Sequence, residues 1–419
     1  MPKNIFASVF IDTTLQNLRQ LVSSFPKASG SVTVLSKPRI DTQWQTWANT
    51  FPTIKPFYAV KCNPQPFLLQ TLMNHGANFD CASLREVYDV KKCSQPYDMG
   101  ASEILYAHPM KSERDIQTTS KLGIKTTVVD SVEECEKLEM CGWKGSTFLR
   151  VAVEDKGSKM PFSIKFGADK DEVKKIASRS QIPITGVSFH VGSGCGNPLQ
   201  YKDAIEFAGG EVFNILRRYK HNPKVIDIGG GFSSDPEVFL KTAKVIQNAI
   251  KNIPRNRVLI AEPGRFLAQP SQDLFVKVIA KKPGLGGKGF RYVIDESLYG
   301  HFSCIPFDHQ TPPFIRVPMD DNRRGVNYTD AILFGRTCDS LDVIAKGKMQ
   351  ELEVGDWLYF PLMGAYTSAT ASEFNGFPKP DLLEDHNGLL PNVADVWKLS
   401  KELLSTQGLT YSNSLVPVV

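Results

Sequence analysis

The chain has 419 residues, 42% of them hydrophobic and 22% charged, and 49 basic against 44 acidic side chains leave a net charge of +5. That is the make-up of a globular protein long enough for two domains. No basic run marks a nucleic-acid or membrane partner, and no apolar segment approaches the ~20 residues that span a bilayer. The opening MPKNIFASVFIDTTLQNL lacks a basic stretch followed by a sustained apolar core, so no signal peptide is expected. Eight cysteines without a Cys-x-x-Cys pair and seven scattered histidines point to a reducing, cytoplasmic setting and to no bound metal.

In chain order, the first strand candidate is the isolated SVTVL at 31–35. Short apolar runs then recur at the spacing of β/α units: FYAV (57–60), NFDCAS (78–83), ILYAH (104–108), TTVVDS (126–131), TFLRVAV (147–153), ITGVSFHVG (184–192), VIDIGGGF (225–232) and VLIAEPGRF (258–266). Helical patterns lie between them. SVEECEKLEMCG offers Ser131 as a cap and Gly142 as a stop, and DPEVFLKTAKVIQNAIKNI places apolar residues at helical spacing. Strands alternating with helices over roughly 230 residues predict a (β/α)8 barrel. Past about residue 270 the texture changes. β-Branched and alternating runs (DLFVKVIAKK, FRYVID, FIRVP, DAILFG, DWLYFPL) are separated by Gly/Pro turns, which predicts an antiparallel β domain. The expected division is an N-terminal segment 1–36 that joins the β domain, a barrel over 37–270, and the C-terminal β domain over 271–419.

Barrel active sites gather at the C-terminal ends of the strands. The first strand ends in Lys61, the second carries Asp80 followed by Ser83 and Glu86, and the fifth carries Arg150. The sixth leads into His190 and Gly192-Ser193-Gly194, the seventh into Asp227 and Gly229-Gly230-Gly231, and the eighth into Glu262-Pro263-Gly264-Arg265. Taken singly, each has an ordinary explanation: a strand-end lysine turns to solvent, a lone histidine is a satisfied rim residue, and a glycine run is a turn. Converging on one rim they describe a reaction site. Glycine-exposed N–H groups with Arg265 suit a phosphate, a rim lysine suits a Schiff base with an aldehyde, and Glu262 suits a pyridine nitrogen that must stay protonated. An imidazole at 190 suits the face of a flat ring. These are the requirements of pyridoxal phosphate.

The motifs PFYAVKCN, FDCAS, VSFHVGSGC, DIGGGF, EPGR, TCDSLD and VGDWLYFPLMGAYTSATASEFNGF, in order from about residue 31 to 377, closely resemble the eukaryotic-type ornithine decarboxylases. These are fold-type III pyridoxal-phosphate decarboxylases of basic amino acids. The resemblance implies a barrel plus β domain of the alanine racemase-like kind. It makes Lys61 the lysine that holds the cofactor covalently, His190 the ring-stacking histidine and Glu262 the partner of the pyridine nitrogen. Ser193, Gly230, Gly231, Gly264, Arg265 and Tyr366 fall on the phosphate cradle, and Asp80 and Arg150 lie near the lysine and the ring. Cys338 matches the cysteine that protonates the decarboxylated carbon, and Asp308 and Asp339 match the acidic pair that receives the distal ammonium of ornithine. It further implies a homodimer in which Cys338 and Asp339 serve the partner's cofactor. The residues alone would make Cys338 a buried apolar filler and Asp339 and Asp342 solvated turn residues, although a dicationic substrate does require carboxylates.

The chain departs from the family pattern in three places. Gly335-Arg336-Thr337-Cys338-Asp339 carries arginine where proline is usual, Phe307 stands where tyrosine commonly precedes the substrate aspartate, and the tail after Phe377 is long. The expected activity is decarboxylation of L-ornithine to putrescine. Alternatives are the same chemistry on lysine, arginine or diaminopimelate, or a catalytically inactive binding protein like the antizyme inhibitors. The last would have lost cofactor contacts that this chain keeps.

Overall fold

The computed structural model describes residues 3–26, 30–94, 103–319 and 327–411. The chain forms two compact units, residues 44–267 and residues 1–43 with 268–419.

In the first unit eight parallel strands close into a barrel in chain order: β1 (Ile54–Ala59), β2 (Asn78–Cys81), β3 (Ile104–Tyr106), β4 (Thr126–Val129), β5 (Ser146–Arg150), β6 (Ile184–Ser188), β7 (Val225–Asp227) and β8 (Val258–Ala261). All eight coincide with the apolar runs of the sequence. These strands are buried along most of their length, because helices cover the outside and side chains fill the lumen. Phe57, Leu105, Val128, Phe148 and Ile260 pack together there. Gly186 makes room for one of them: a Cβ at that position would stand 2.6 Å from the Phe148 ring.

Helix ends follow local chemistry. Ser131 caps Val132–Met140 by accepting the Glu134 N–H, and Gly142 (φ +70°) follows its end, as the sequence predicts. Asp235 caps Pro236–Ala249, with proline in the first turn.

The second unit is built on a nine-stranded sheet. Its long strand Gln272–Pro283 pairs antiparallel with Val32–Ser36 and Trp357–Phe360 at one end and with Phe290–Ile294 at the other. The SVTVL run therefore lies in this sheet. The sheet is mostly antiparallel, but two pairings are parallel. Val32–Ser36 runs alongside Asp381–Asp385, and Phe290–Ile294 alongside Tyr328–Phe334. In each case a long connection lets the chain return in the same direction, which a tight hairpin does not. Ile315–Val317 and Thr410–Tyr411 are further strands of the nine, and Val343–Gln350 and the helix Val393–Gln407 were not signalled clearly by the sequence. No described helix is long and apolar enough to cross a membrane.

Candidate active site

Beyond the C-terminal ends of the barrel strands, polar side chains replace the apolar interior. Lys61 sits in a single 3-10 turn, Val60–Cys62, directly after β1. Its side chain is 42% exposed, and Nζ lies 2.5 Å from Oδ2 of the fully buried Asp80 on β2. The other oxygen of Asp80 has no hydrogen-bond donor. Glu86, on the helix capped by Ser83, accepts the Ala82 N–H at 2.7 Å, and burial, with Asp80 adding to it, raises its pKa.

Arg150 ends β5 with its guanidinium 4.9 Å above the Phe166 ring. Burial lowers its pKa, while Glu262, Asp130, Asp227 and Asp80 pull the other way. His190 lies two residues past β6. Its Nδ1 accepts the Gly192 N–H at 2.9 Å, which leaves the proton of the neutral ring on Nε2. Burial, then Arg150 and Lys61, hold its pKa well below the ordinary histidine value, so the ring is uncharged at neutral pH. Phe162 meets it edge-on at 4.8 Å. Ser193 accepts from Arg265 Nη2 at 3.1 Å.

The loop after β7 is tied down from three sides. Gly229 N–H donates to Asp227 Oδ1 at 2.9 Å, Glu262 N–H donates to the Gly229 carbonyl at 2.7 Å, and Tyr201 OH donates to the Gly230 carbonyl at 2.7 Å. A Cβ at Gly230 would come within 2.8 Å of the Glu262 carbonyl and 2.9 Å of His190 Nε2. One at Gly264 would stand 3.1 Å from Cys62 Cβ, beside the lysine turn. Gly231 holds φ +95°, a conformation open to glycine. Burial followed by mutual repulsion with Glu262 raises the Asp227 pKa, and burial followed by Asp80 raises that of Glu262. Two carboxyls side by side disfavour ionising together.

Ten of the predicted positions thus gather on one rim of the barrel unit: Lys61, Asp80, Arg150, His190, Ser193, Gly230, Gly231, Glu262, Gly264 and Arg265. The remaining four belong to the sheet unit. Asp308 is buried at the end of a short helix, and Gln310 Nε2 donates both to it (2.6 Å) and to the Ala365 carbonyl (2.8 Å), next to Tyr366. Asp339 accepts from Tyr299 OH and from Leu341 N–H, and these bonds hold its pKa below the ordinary carboxylate value. Two readings made from residue type alone are corrected. Cys338 is exposed, with its N–H given to Asn375 Oδ1 at 3.0 Å, because it stands on a loop tip rather than in a strand. Asp342 is 1% exposed, since it accepts from Thr337 N–H, Thr337 Oγ1 and Leu298 N–H and so holds that loop from inside. Arg336 stacks on Phe377 at 4.8 Å and donates to the Pro378 carbonyl.

Residues 37–269 match the family described as pyridoxal-dependent decarboxylase, pyridoxal binding domain. The chain belongs to the pyridoxal-dependent decarboxylases. It is 36% identical to the ornithine decarboxylase of Caenorhabditis elegans over 87% of this chain and 90% of that one. It is also 36% identical to the ornithine decarboxylase of Schizosaccharomyces pombe, over 90% and 88% of the two chains. Among solved structures it superposes on the arginine decarboxylase of Paramecium bursaria Chlorella virus bound to agmatine, with TM-score 0.82, 32% identity and coverage of 88% of this chain and 100% of that one. The lysine/ornithine decarboxylase of Vibrio vulnificus complexed with cadaverine follows at TM-score 0.78 and 29% identity, covering 88% and 98%.

The residues present fit pyridoxal phosphate, the cofactor of this decarboxylase. Asp80, Asp227 and Glu262 crowd together, with burial raising the pKa of the last two, and a protonated pyridine nitrogen beside Glu262 would favour its ionised form. The glycine cradle would be filled by any Cβ at position 230. Sequence reading placed Asp227 on the rim without giving it a role, and it passed over Tyr201 beneath Gly230 and the rings of Phe162 and Phe166. Tyr201, Phe162 and Phe166 lie outside the strand ends and carried no signal.

Proposed function

We propose that this decarboxylase converts L-ornithine to putrescine and CO2, as a cytoplasmic homodimer with composite active sites supplying polyamine synthesis. The reading is carried by identity to ornithine decarboxylases over most of both chains, supported by a rim suited to pyridoxal phosphate. When bound, that cofactor supplies an aldehyde that condenses with amines and a protonated ring that accepts the electrons left as CO2 departs.

The chain's residues do the rest. Lys61 is the attachment amine, oriented by Asp80. Glu262 keeps the ring nitrogen protonated, and a cation there reverses the repulsion among the three carboxylates. His190, neutral and fixed by Gly192, lends a flat face without adding charge. Arg265, Ser193 and the N–H groups around Gly230, Gly231 and Gly264 hold the phosphate together with Tyr366. Asp308 and Asp339 receive the distal ammonium, and Cys338 delivers a proton to the α-carbon. The exposed Phe307 and Phe374, 59% and 43% accessible beside these groups in sequence, are apolar surface of the kind a partner subunit covers.

Lysine or arginine is a second reading of the same site, favoured by the structural likeness to decarboxylases of those substrates. Diaminopimelate is disfavoured, because Arg336 is engaged by Phe377 and Pro378. The test is CO2 release from ornithine, lysine, arginine and diaminopimelate by the cofactor-loaded protein. The highest kcat/KM is expected with ornithine, and a higher value with another substrate reassigns the specificity. Cofactor binding without turnover of any of the four supports a binding protein instead.

A further inference from the structure

A network of charged and polar side chains withdrawn from water lies in the sheet unit, next to the loop that carries Tyr366. Arg39, near the start of the helix Lys37–Thr50, is 1% exposed, and Asp273 and Tyr359 are 0% exposed. Arg39 Nη1 lies 2.9 Å from Asp273 Oδ2, and Tyr359 OH donates to the same oxygen at 2.5 Å. Asp273 Oδ1 receives the N–H of Leu362 at 2.8 Å. Arg39 also donates from Nε to the Pro391 carbonyl (2.5 Å) and from Nη1 to the Pro270 carbonyl (3.2 Å).

Such a pair is a poor source of stability. Removing two charges from water costs about as much as their pairing returns, and apolar replacements are often neutral or better. What the pair holds is more informative. Leu362 has φ +61° and Tyr366 φ +56°, left-handed conformations that cost a non-glycine residue roughly 1–3 kcal/mol each and persist where the surroundings over-determine them. The loop is clamped accordingly. Met363 N–H donates to the Gln272 carbonyl (2.7 Å), Gln272 Nε2 donates to the Met363 carbonyl (3.2 Å), and Gly364 N–H donates to the Gln269 carbonyl (3.2 Å). Leu362, the first strained residue, is tied to the Asp273 carboxylate, whose place is set by Arg39 and Tyr359.

We propose that Arg39 and Asp273 are positioning residues: they pin Leu362 in its left-handed conformation and thereby set where Tyr366 offers its hydroxyl to the phosphate of the cofactor. The proposal rests on the phosphate-binding reading of Tyr366. No motif of the sequence marks either residue, because the network joins positions 39, 273, 359 and 362 that are adjacent only after folding.

The test uses the double variant R39M/D273L, which removes both charges together and spares the core an unpaired one. Because the variant also leaves the Tyr359 hydroxyl, the Leu362 N–H and the Pro270 and Pro391 carbonyls without these partners, its melting temperature in the cofactor-stripped protein should fall. Affinities are compared below that temperature, on folded protein. The dissociation constant for pyridoxal phosphate, read by absorbance titration, should rise about tenfold or more, while that for pyridoxal, which lacks the phosphate, stays put. An unchanged pyridoxal phosphate constant, or an equal loss for both ligands, overturns the proposal. Tyr366→Phe separates the two layers. If it leaves pyridoxal phosphate affinity intact, the phosphate reading of Tyr366 falls and the positioning role falls with it. If it weakens affinity and R39M/D273L does not, the positioning role alone is wrong. Should the double variant not fold, Tyr359→Phe removes one donor from Asp273 and keeps the charge pair. About a two- to threefold weaker pyridoxal phosphate affinity is then expected, and no change overturns the proposal.

Discussion

Asp308 is proposed to serve recognition, whereas Asp295 carries a folding cost. Asp308 is buried and accepts from the neutral amide of Gln310 at 2.6 Å, and under the proposed reading an ornithine ammonium would add a charge-assisted bond. Asp308→Asn turns that bond into a neutral one and should raise KM for ornithine about five- to 150-fold, equivalent to roughly 1–3 kcal/mol. Steady-state kinetics on ornithine decide it, and an unchanged KM would place the distal amine elsewhere. Asp295 is 8% exposed, and burial pushes its pKa from 3.8 to about 6 against the pull of the Lys277 N–H it accepts. The folded chain therefore keeps this proton where the unfolded chain has released it. Stability falls as pH rises through the window from about 3.8 to about 6 and stays lost above it. Asp295→Asn retains the acceptor for Lys277 and removes the ionisation. Compared with wild type in urea unfolding, it should gain on the order of 2–3 kcal/mol between pH 4 and pH 7. A difference that does not vary with pH would contradict this assignment.

At the scale of elements, the barrel strands were legible because their pattern is local: short apolar runs bounded by turn residues, with caps such as Ser131 at the helix starts. The sheet unit was less so. Asp381–Asp385 reads as a polar tail, yet it pairs with Val32–Ser36, and that pairing is invisible to any window of sequence. The helix Val393–Gln407 that follows turns Val396, Leu399 and Leu403 inward, and Leu399 and Leu403 pack in a cluster with Leu18, Val32, Phe275 and Trp357. Leu399 is 1% exposed, so Leu399→Ala should cost ~2–5 kcal/mol through lost burial and the cavity left behind. Chemical denaturation measures it. A loss well under that range would mean the tail helix is not part of the folding core.

The proposed composite site is tested at the scale of the whole molecule. Lys61 belongs to the barrel unit and Cys338 to the sheet unit, and a two-fold dimer would repeat any shared site twice. Lys61→Ala and Cys338→Ala homodimers should each be nearly inactive. After random exchange about half the dimers are mixed, and each mixed dimer carries one doubly defective site and one intact site, so activity should return to roughly a quarter of wild type. Subunits that demonstrably exchange without regaining activity would put Lys61 and Cys338 in the same chain's site.

The sequence by itself determined the barrel and most of its rim, since the β/α period and the residues at each strand end are properties of short segments in fixed order. Tertiary structure alone decided what depends on distant neighbours. Cys338 is exposed and Asp342 is buried because the loop from Gly335 folds around the carboxylate of Asp342, with Leu298 supplying one of its donors. Glu262 adds to the burial that raises the Asp227 pKa because β7 and β8 lie side by side in the closed barrel. Arg39, Asp273 and Tyr359 find one another because three strands of one sheet and a helix leading out of it converge beside Leu362. Burial and charge pairing are set by which segments meet, and the chain's local pattern does not encode that meeting.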